Sequence, residues 1–184
     1  MKIVKTEIPG VIILEPKVFQ DDRGFFMETY QKQKYAEAGI TTTFVQDNYS
    51  FSQKNTLRGL HYQYPHAQAK LVQVLQGSVL DIAVDIRRGS PTFGKWISIE
   101  LTENNNKQFF IPAGFAHGFV VLSETATFTY KCSDFYSPAD EKGILFSDSE
   151  LDIDWPQEKF ILSEKDREYP CLRLIPPEHL PEYA

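Results

Sequence analysis

Apolar and polar residues alternate with period two over most of the chain, the signature of half-buried β-strands. In Val79 to Ile86, the residues Leu80, Ile82, Val84 and Ile86 share one parity while Asp81 and Asp85 take the other. Trp96 to Leu101 behaves alike, with Ile97, Ile99 and Leu101 set against Ser98 and Glu100. Leu71 to Gln76 runs into Gly77-Ser78, a turn signal between two strands. A further run, Phe25 to Tyr30, follows Gly24. One segment breaks the alternation: Gln31 to Ala38 is rich in Gln, Lys, Glu and Ala, and Gly39 stands where a helix-ending glycine belongs. Turns recur at Arg88-Gly89-Ser90-Pro91, Glu103 to Asn106, Pro112-Ala113-Gly114 and Ser137-Pro138. Many short strands between such turns predict an all-β sandwich, jelly roll or small barrel. Beyond Asp148 the alternation fades into a tail with five prolines, expected to wrap the β core.

Composition changes this picture little. The 184 residues are 42% hydrophobic and 24% charged, ordinary for a globular chain, and are read as one domain over 1–184. The longest apolar runs, Val11 to Leu14 and Phe119 to Leu122, are strand-sized, so no membrane segment is expected. The first residues lack the apolar core of a secretory signal. Two cysteines, Cys132 and Cys171, do not make a disulfide framework, and a reduced cytoplasmic protein is the expectation. The net charge is −6, from 19 Lys and Arg against 25 Asp and Glu, with no basic stripe for nucleic acid. An anionic small ligand would need local cations.

Chemistry concentrates in two stretches. Leu57-Arg58-Gly59-Leu60-His61-Tyr62-Gln63 is followed by Lys70 at the head of a strand. The second, Ile111 to Phe119, carries Pro112, Gly114 and His117, and resembles the second motif of the cupin jelly roll, in which the histidine points into the barrel. The first cupin motif of metal-binding members carries His-x-His. Here the second of those positions is Gln63, which leaves His61 and His117 a poor ligand set, and no metal is expected. His61 is of the type that acts as a base near neutrality, or it is a structural histidine. Lys70 is a cation suited to a developing oxyanion. Tyr130 shares parity with Phe128, as an acid or as a barrel-wall aromatic. Asp166 suits the orientation of an imidazole, or is a solvated charge of the tail. Base, cation and acid without a nucleotide-cofactor fingerprint point to proton abstraction beside a carbonyl.

The chain resembles the dTDP-4-dehydrorhamnose 3,5-epimerase family from about Glu7 to Pro170. The carriers include Asp22-Arg23-Gly24-Phe25-Phe26, Phe44 to Asn48, Leu57 to His61, Lys70-Leu71-Val72, Ser90 to Gly94, Ile111 to Phe119, Tyr130-Lys131, Asp154-Trp155-Pro156 and Leu162 to Asp166. The resemblance implies a cupin-type jelly-roll barrel with a short helix in its N-terminal half and a loop-rich C-terminal tail. It implies His61 as base, Asp166 as its orienting partner, Tyr130 as acid and Lys70 facing the enolate oxygen, with no cofactor. His117 is implied to line the same pocket. Arg23, Glu28, Gln46, Asp47, Asn48, Arg58, Glu141 and Lys165 are implied on the substrate side, and Phe26 or Tyr136 is of the aromatic type that stacks on a pyrimidine. The expected substrate is dTDP-4-dehydro-6-deoxy-D-glucose, inverted at C3 and C5. A homodimer is expected, with Arg23 to Glu28 reaching the neighbouring site. The alternatives are a mono-epimerase of another deoxysugar pathway, a sugar-binding cupin without turnover, and a metal-dependent cupin dioxygenase.

Overall fold

The computed structural model describes residues 1–157 and 159–183. Two antiparallel sheets face each other. One has six strands: β1 (Lys2–Lys5), β2 (Ile12–Glu15), β5 (Gln46–Gln53), β7 (Lys70–Gln76), β10 (Gln108–Ile111) and β12 (Thr125–Cys132), in the order β1-β2-β10-β7-β12-β5. The other has five: β6 (Leu57–Gln63), β8 (Ser78–Asp85), β9 (Trp96–Thr102), β11 (Phe115–Val121) and β13 (Glu141–Gly143), in the order β13-β6-β11-β8-β9. β3 (Val18–Asp21) and β4 (Gly24–Met27) form a separate hairpin. Its second strand ends at Met27, three residues short of the run that the sequence suggests.

The core between the sheets is built from Val72, Val74, Val79, Ala83, Leu101, Phe109, Phe119 and Phe128 among others. A second apolar layer lies outside the five-stranded sheet, where Leu60, Ile82, Val84 and Ile86 meet Leu151, Leu172, Ile175 and Leu180 of the tail. The tail therefore wraps the β core, and each such buried side chain contributes roughly 1.5–3 kcal/mol. α1 (Lys32–Glu37) caps the outside of the six-stranded sheet through Tyr35, which is 1% exposed. The Gln31 side chain accepts the Lys34 N–H as N-cap, and Gly39 takes φ +93° just past the end.

β8 departs from the half-buried pattern. Its apolar parity faces the tail layer, and the parity of Asp81 faces the barrel, so both faces are covered and both aspartates are 0% exposed. Asp85 spends its charge locally. It accepts the backbone N–H and guanidinium of Arg87 and the hydroxyls of Ser90 and Thr92, tying the predicted turn to the strand end.

Candidate active site

A cavity of about 610 Å³ opens between the sheets, lined by Arg58 and His61 of β6, His117 of β11, Lys70 of β7 and Tyr130 of β12, with Glu141, Lys165 and Asp166 at its rim. In a regular strand Arg58 and His61, three residues apart, point to opposite faces. Against β11 they pair with Phe119 and His117, which are two apart, so β6 carries one extra residue there. That bulge turns both side chains into the cavity. It depends on glycine: a Cβ on Gly59, which sits at φ +118°, would lie 2.6 Å from Gly118 Cα and from the His117 carbonyl oxygen.

His61 Nε2 is 2.5 Å from Asp166 Oδ1. The neutral imidazole thus carries its proton on Nε2 and leaves Nδ1 as a free base. Asp166 sits on α2 (Glu164–Glu168), whose N-cap Ser163 accepts the Asp166 N–H at 3.1 Å and donates its hydroxyl to Asp166 Oδ2 at 2.8 Å. Burial alone raises the Asp166 carboxyl, but the bonds from His61 and Ser163 outweigh it and hold it below the usual carboxylate range. The Tyr169 ring meets His61 edge-on at 5.7 Å and occupies the space that any Cβ on Gly143 would need.

The opposite wall carries Lys70 and Tyr130. Burial pushes Lys70 down from the ordinary lysine value and pushes the Tyr130 phenol up to about 12. Lys70 Nζ lies 5.9 Å from the Tyr130 ring centre. Neither Lys70 nor Arg58 forms an ion pair among the described residues, so the cavity offers two uncommitted cations in a chain of net charge −6. His61 and Tyr130 stand on different sheets, hence on opposite sides of anything bound between them.

The other sequence-derived residues divide into three groups. Gln46 and Asn48 line an adjoining cavity of about 280 Å³ that shares His61, Lys70, Tyr130 and Glu141. There Tyr136 donates its backbone N–H to Gln46 and its hydroxyl to Glu141, which also pairs with Lys165. Asp47 points from the other face of β5 to Lys131, 2.9 Å away. Arg23, Phe26 and Glu28 lie on or beside the hairpin and do not line this chain's cavity; Arg23 bonds Asp21, and Glu28 bonds Lys34.

Sequence reasoning passed over three residues. Gln63 holds the backbone of Phe135 and Ser137, and so aims the loop bearing Tyr136. Ser163 was legible, since Ser163-x-x-Asp166 is a helix-capping pattern. Asp81, bonded to His117, gave no signal beyond its parity. Among the described residues, no three His, Cys, Asp or Glu side chains converge to hold a metal ion. Nor, among the described residues, is any helix long and apolar enough to cross a membrane.

A barrel with a carboxylate-oriented imidazole on one wall, and an amine with a phenol on the other, is the equipment of a proton-transfer isomerase built on a cupin-type jelly roll. The family model described as dTDP-4-dehydrorhamnose 3,5-epimerase matches residues 5–173, and the chain belongs to that family. It is 56% identical over 170 residues to the dTDP-4-dehydrorhamnose 3,5-epimerase of Pseudomonas aeruginosa, covering 91% of this chain and 94% of that one. The crystal structure of dTDP-6-deoxy-D-glucose-3,5-epimerase from Legionella pneumophila, in complex with dTDP-4-keto-L-rhamnose, superimposes with a TM-score of 0.97 at 54% identity, over 100% of this chain and 98% of that one. A 3'-monoepimerase from Streptomyces bikiniensis, in complex with dTDP-quinovose, shares the fold at a TM-score of 0.89 and 33% identity, over 97% and 92%.

Proposed function

We propose that the protein inverts C3 and C5 of dTDP-4-dehydro-6-deoxy-D-glucose to give dTDP-4-dehydro-L-rhamnose, within dTDP-L-rhamnose biosynthesis. The observation that carries this reading is the separation of base and phenol onto facing sheets, with an unpaired amine beside the phenol. C3 and C5 both flank the C4 ketone, so their protons are the acidic ones. His61 Nδ1 removes such a proton, and the electron pair moves onto the C4 oxygen. Lys70 stabilises that charge, an effect commonly worth about 3–4 kcal/mol per preorganised donor. Tyr130 then gives its proton to the opposite face of the carbon. The imidazolium and phenolate are reset by exchange with solvent, which leaves a solvent hydrogen at each inverted centre.

Arg58 supplies a guanidinium for the diphosphate, which suits bidentate charge-assisted bonding. Gln46, Asn48, Glu141, Lys165 and Tyr136 frame the nucleotide side. Arg23, Phe26 and Glu28 act on a neighbouring copy's site in a homodimer. Their support is the hairpin itself, which leaves Phe25 61% and Phe26 69% exposed. A single domain in the cytoplasm fits the two free cysteines.

The same scaffold serves a mono-epimerase, so the test is positional. Substrate and enzyme are incubated in deuterated water, and both ring carbons are followed by NMR. Deuterium at C3 and C5 of an inverted product is expected; label at one carbon alone would establish the mono-epimerase instead.

A further inference from the structure

The barrel holds a second imidazole–carboxylate pair for which the chemistry above has no task. His117 Nε2 lies 2.9 and 3.0 Å from the two Asp81 oxygens, with the side chains 8% and 0% exposed. Strand register brings them together: His117 pairs with Ala83 and Phe119 with Asp81, so the two are diagonal neighbours on the inward face. The His117 ring stacks on Phe128 at 6.2 Å.

Lys70 enters the same cavity from the facing sheet. The titratable and charged groups around it are Tyr130 and Cys132 on β12, Asp81 on β8, His117 on β11, Arg58 and His61 on β6, and Glu141 on β13. Glu141 already has Lys165 and Tyr136. Burial keeps the Cys132 thiol protonated and pushes His117 toward the neutral imidazole. A neutral ring with Nε2 directed at a carboxylate has its proton there, which leaves Nδ1 as an acceptor. Burial raises the Asp81 carboxyl, whereas the bond to His117 and the nearby Lys70 favour its ionised form, and it is the one carboxylate of this set without a cation of its own.

We propose that Asp81 is a positioning residue for epimerisation: it fixes His117 as the tautomer that accepts through Nδ1, and its carboxylate is the buried counter-charge that keeps Lys70 an ammonium. The proposal rests on the enolate-stabilising role of Lys70, since a neutral amine would offer that oxygen no charge. It also removes His117 as a proton donor to carbon, because its single N–H is held by Asp81. His117 is left to receive a donor, such as a sugar hydroxyl.

Asp81→Asn keeps the shape, and its amide oxygen still accepts the His117 N–H, but the charge is gone. Turnover of dTDP-4-keto-6-deoxyglucose by the parent enzyme is measured first: no turnover sinks the functional reading and leaves the role of Asp81 to the NMR measurements below. With an active parent, Asp81→Asn is expected to lower kcat by about tenfold or more with KM little changed. Its alkaline limb moves to lower pH by about one unit, and the same substitution made in Lys70→Arg moves no limb. A folded Asp81→Asn enzyme with an unmoved limb overturns the proposal. Carbon-13 NMR of Lys70 reads its titration without any need for activity, and an unchanged titration in Asp81→Asn overturns the proposal as well. Should that variant not fold, nitrogen-15 NMR of the parent decides. His117 must stay neutral and protonated on Nε2 from about pH 6 to 9, and a charged or Nδ1-protonated ring overturns the assignment.

Discussion

At the scale of single residues, the site separates two tasks that one histidine cannot perform alone. In the proposed reaction His61 takes a proton on one side, and inversion needs another group to deliver one on the other. His61→Asn should therefore lose roughly 10²–10⁴-fold in turnover together with exchange of substrate hydrogens into deuterated water. Tyr130→Phe should behave differently, losing inverted product by a similar factor while His61 still washes deuterium into recovered substrate. Loss of both signals in Tyr130→Phe would assign the phenol to some earlier step. The pH profile follows from the same groups. Burial lowers Lys70 and raises Tyr130 to about 12, so as pH rises Lys70 is the first of these two to lose its proton. Lys70→Arg, permanently charged, should push the alkaline limb to higher pH while weakening the step.

Elements decide where these residues point. The bulge between Arg58 and His61 exists because two glycines let β6 and β11 approach closely. Gly59→Ala places a methyl group against backbone at 2.6 Å and should cost about 1–3 kcal/mol, together with activity, as measured by urea unfolding and turnover. Asp85 sets a second element-scale expectation. Burial raises its carboxyl, but bonds from Arg87, Ser90 and Thr92 outweigh this and hold it below the usual range. A depressed carboxylate stabilises the fold above its unfolded pKa, near 4, and the stabilisation disappears as pH falls through the folded value. Asp85→Ala should therefore cost roughly 3–5 kcal/mol at pH 7, and less with each step below about pH 4. A cost independent of pH would show that shape rather than charge matters at this turn. The helix α2, which the sequence missed, is only five residues long. Too short to show a helical period, it is betrayed only by its Ser163-x-x-Asp166 cap, yet it holds the partner of His61.

The whole molecule adds the hairpin. The Arg23 side chain is 90% exposed and, among the described residues, bonds only to Asp21 two residues away, so none of these requires it. If it serves a neighbouring copy, Arg23→Ala should leave stability unchanged and raise KM by about 10–100-fold, the worth of a charge-assisted bond. Complementation provides a sharper measurement. In a mixed dimer of Arg23→Ala and His61→Asn chains, one site regains both side chains, so the mixture should exceed the mean of the separate variants at low substrate. No gain after subunit exchange would confine Arg23 to its own chain.

The sequence by itself determined the alternating strands, their turns, the wrapping tail and the residue types that carry chemistry. Those are local properties: period two, glycine and proline at turns, and motifs within a few positions. It also carried the family, because several motifs recur in order along nearly the whole chain. Only the tertiary structure decided which parity faces the barrel. Strand alternation says that two faces differ and not what lies against each, so the inward turn of Asp81 was invisible until the tail covered the other face of β8. Likewise, His61 and Asp166 are 105 residues apart, and no periodic pattern links them. Which imidazole nitrogen of His61 is left free, and which wall bears the phenol of Tyr130, are consequences of two sheets closing on each other.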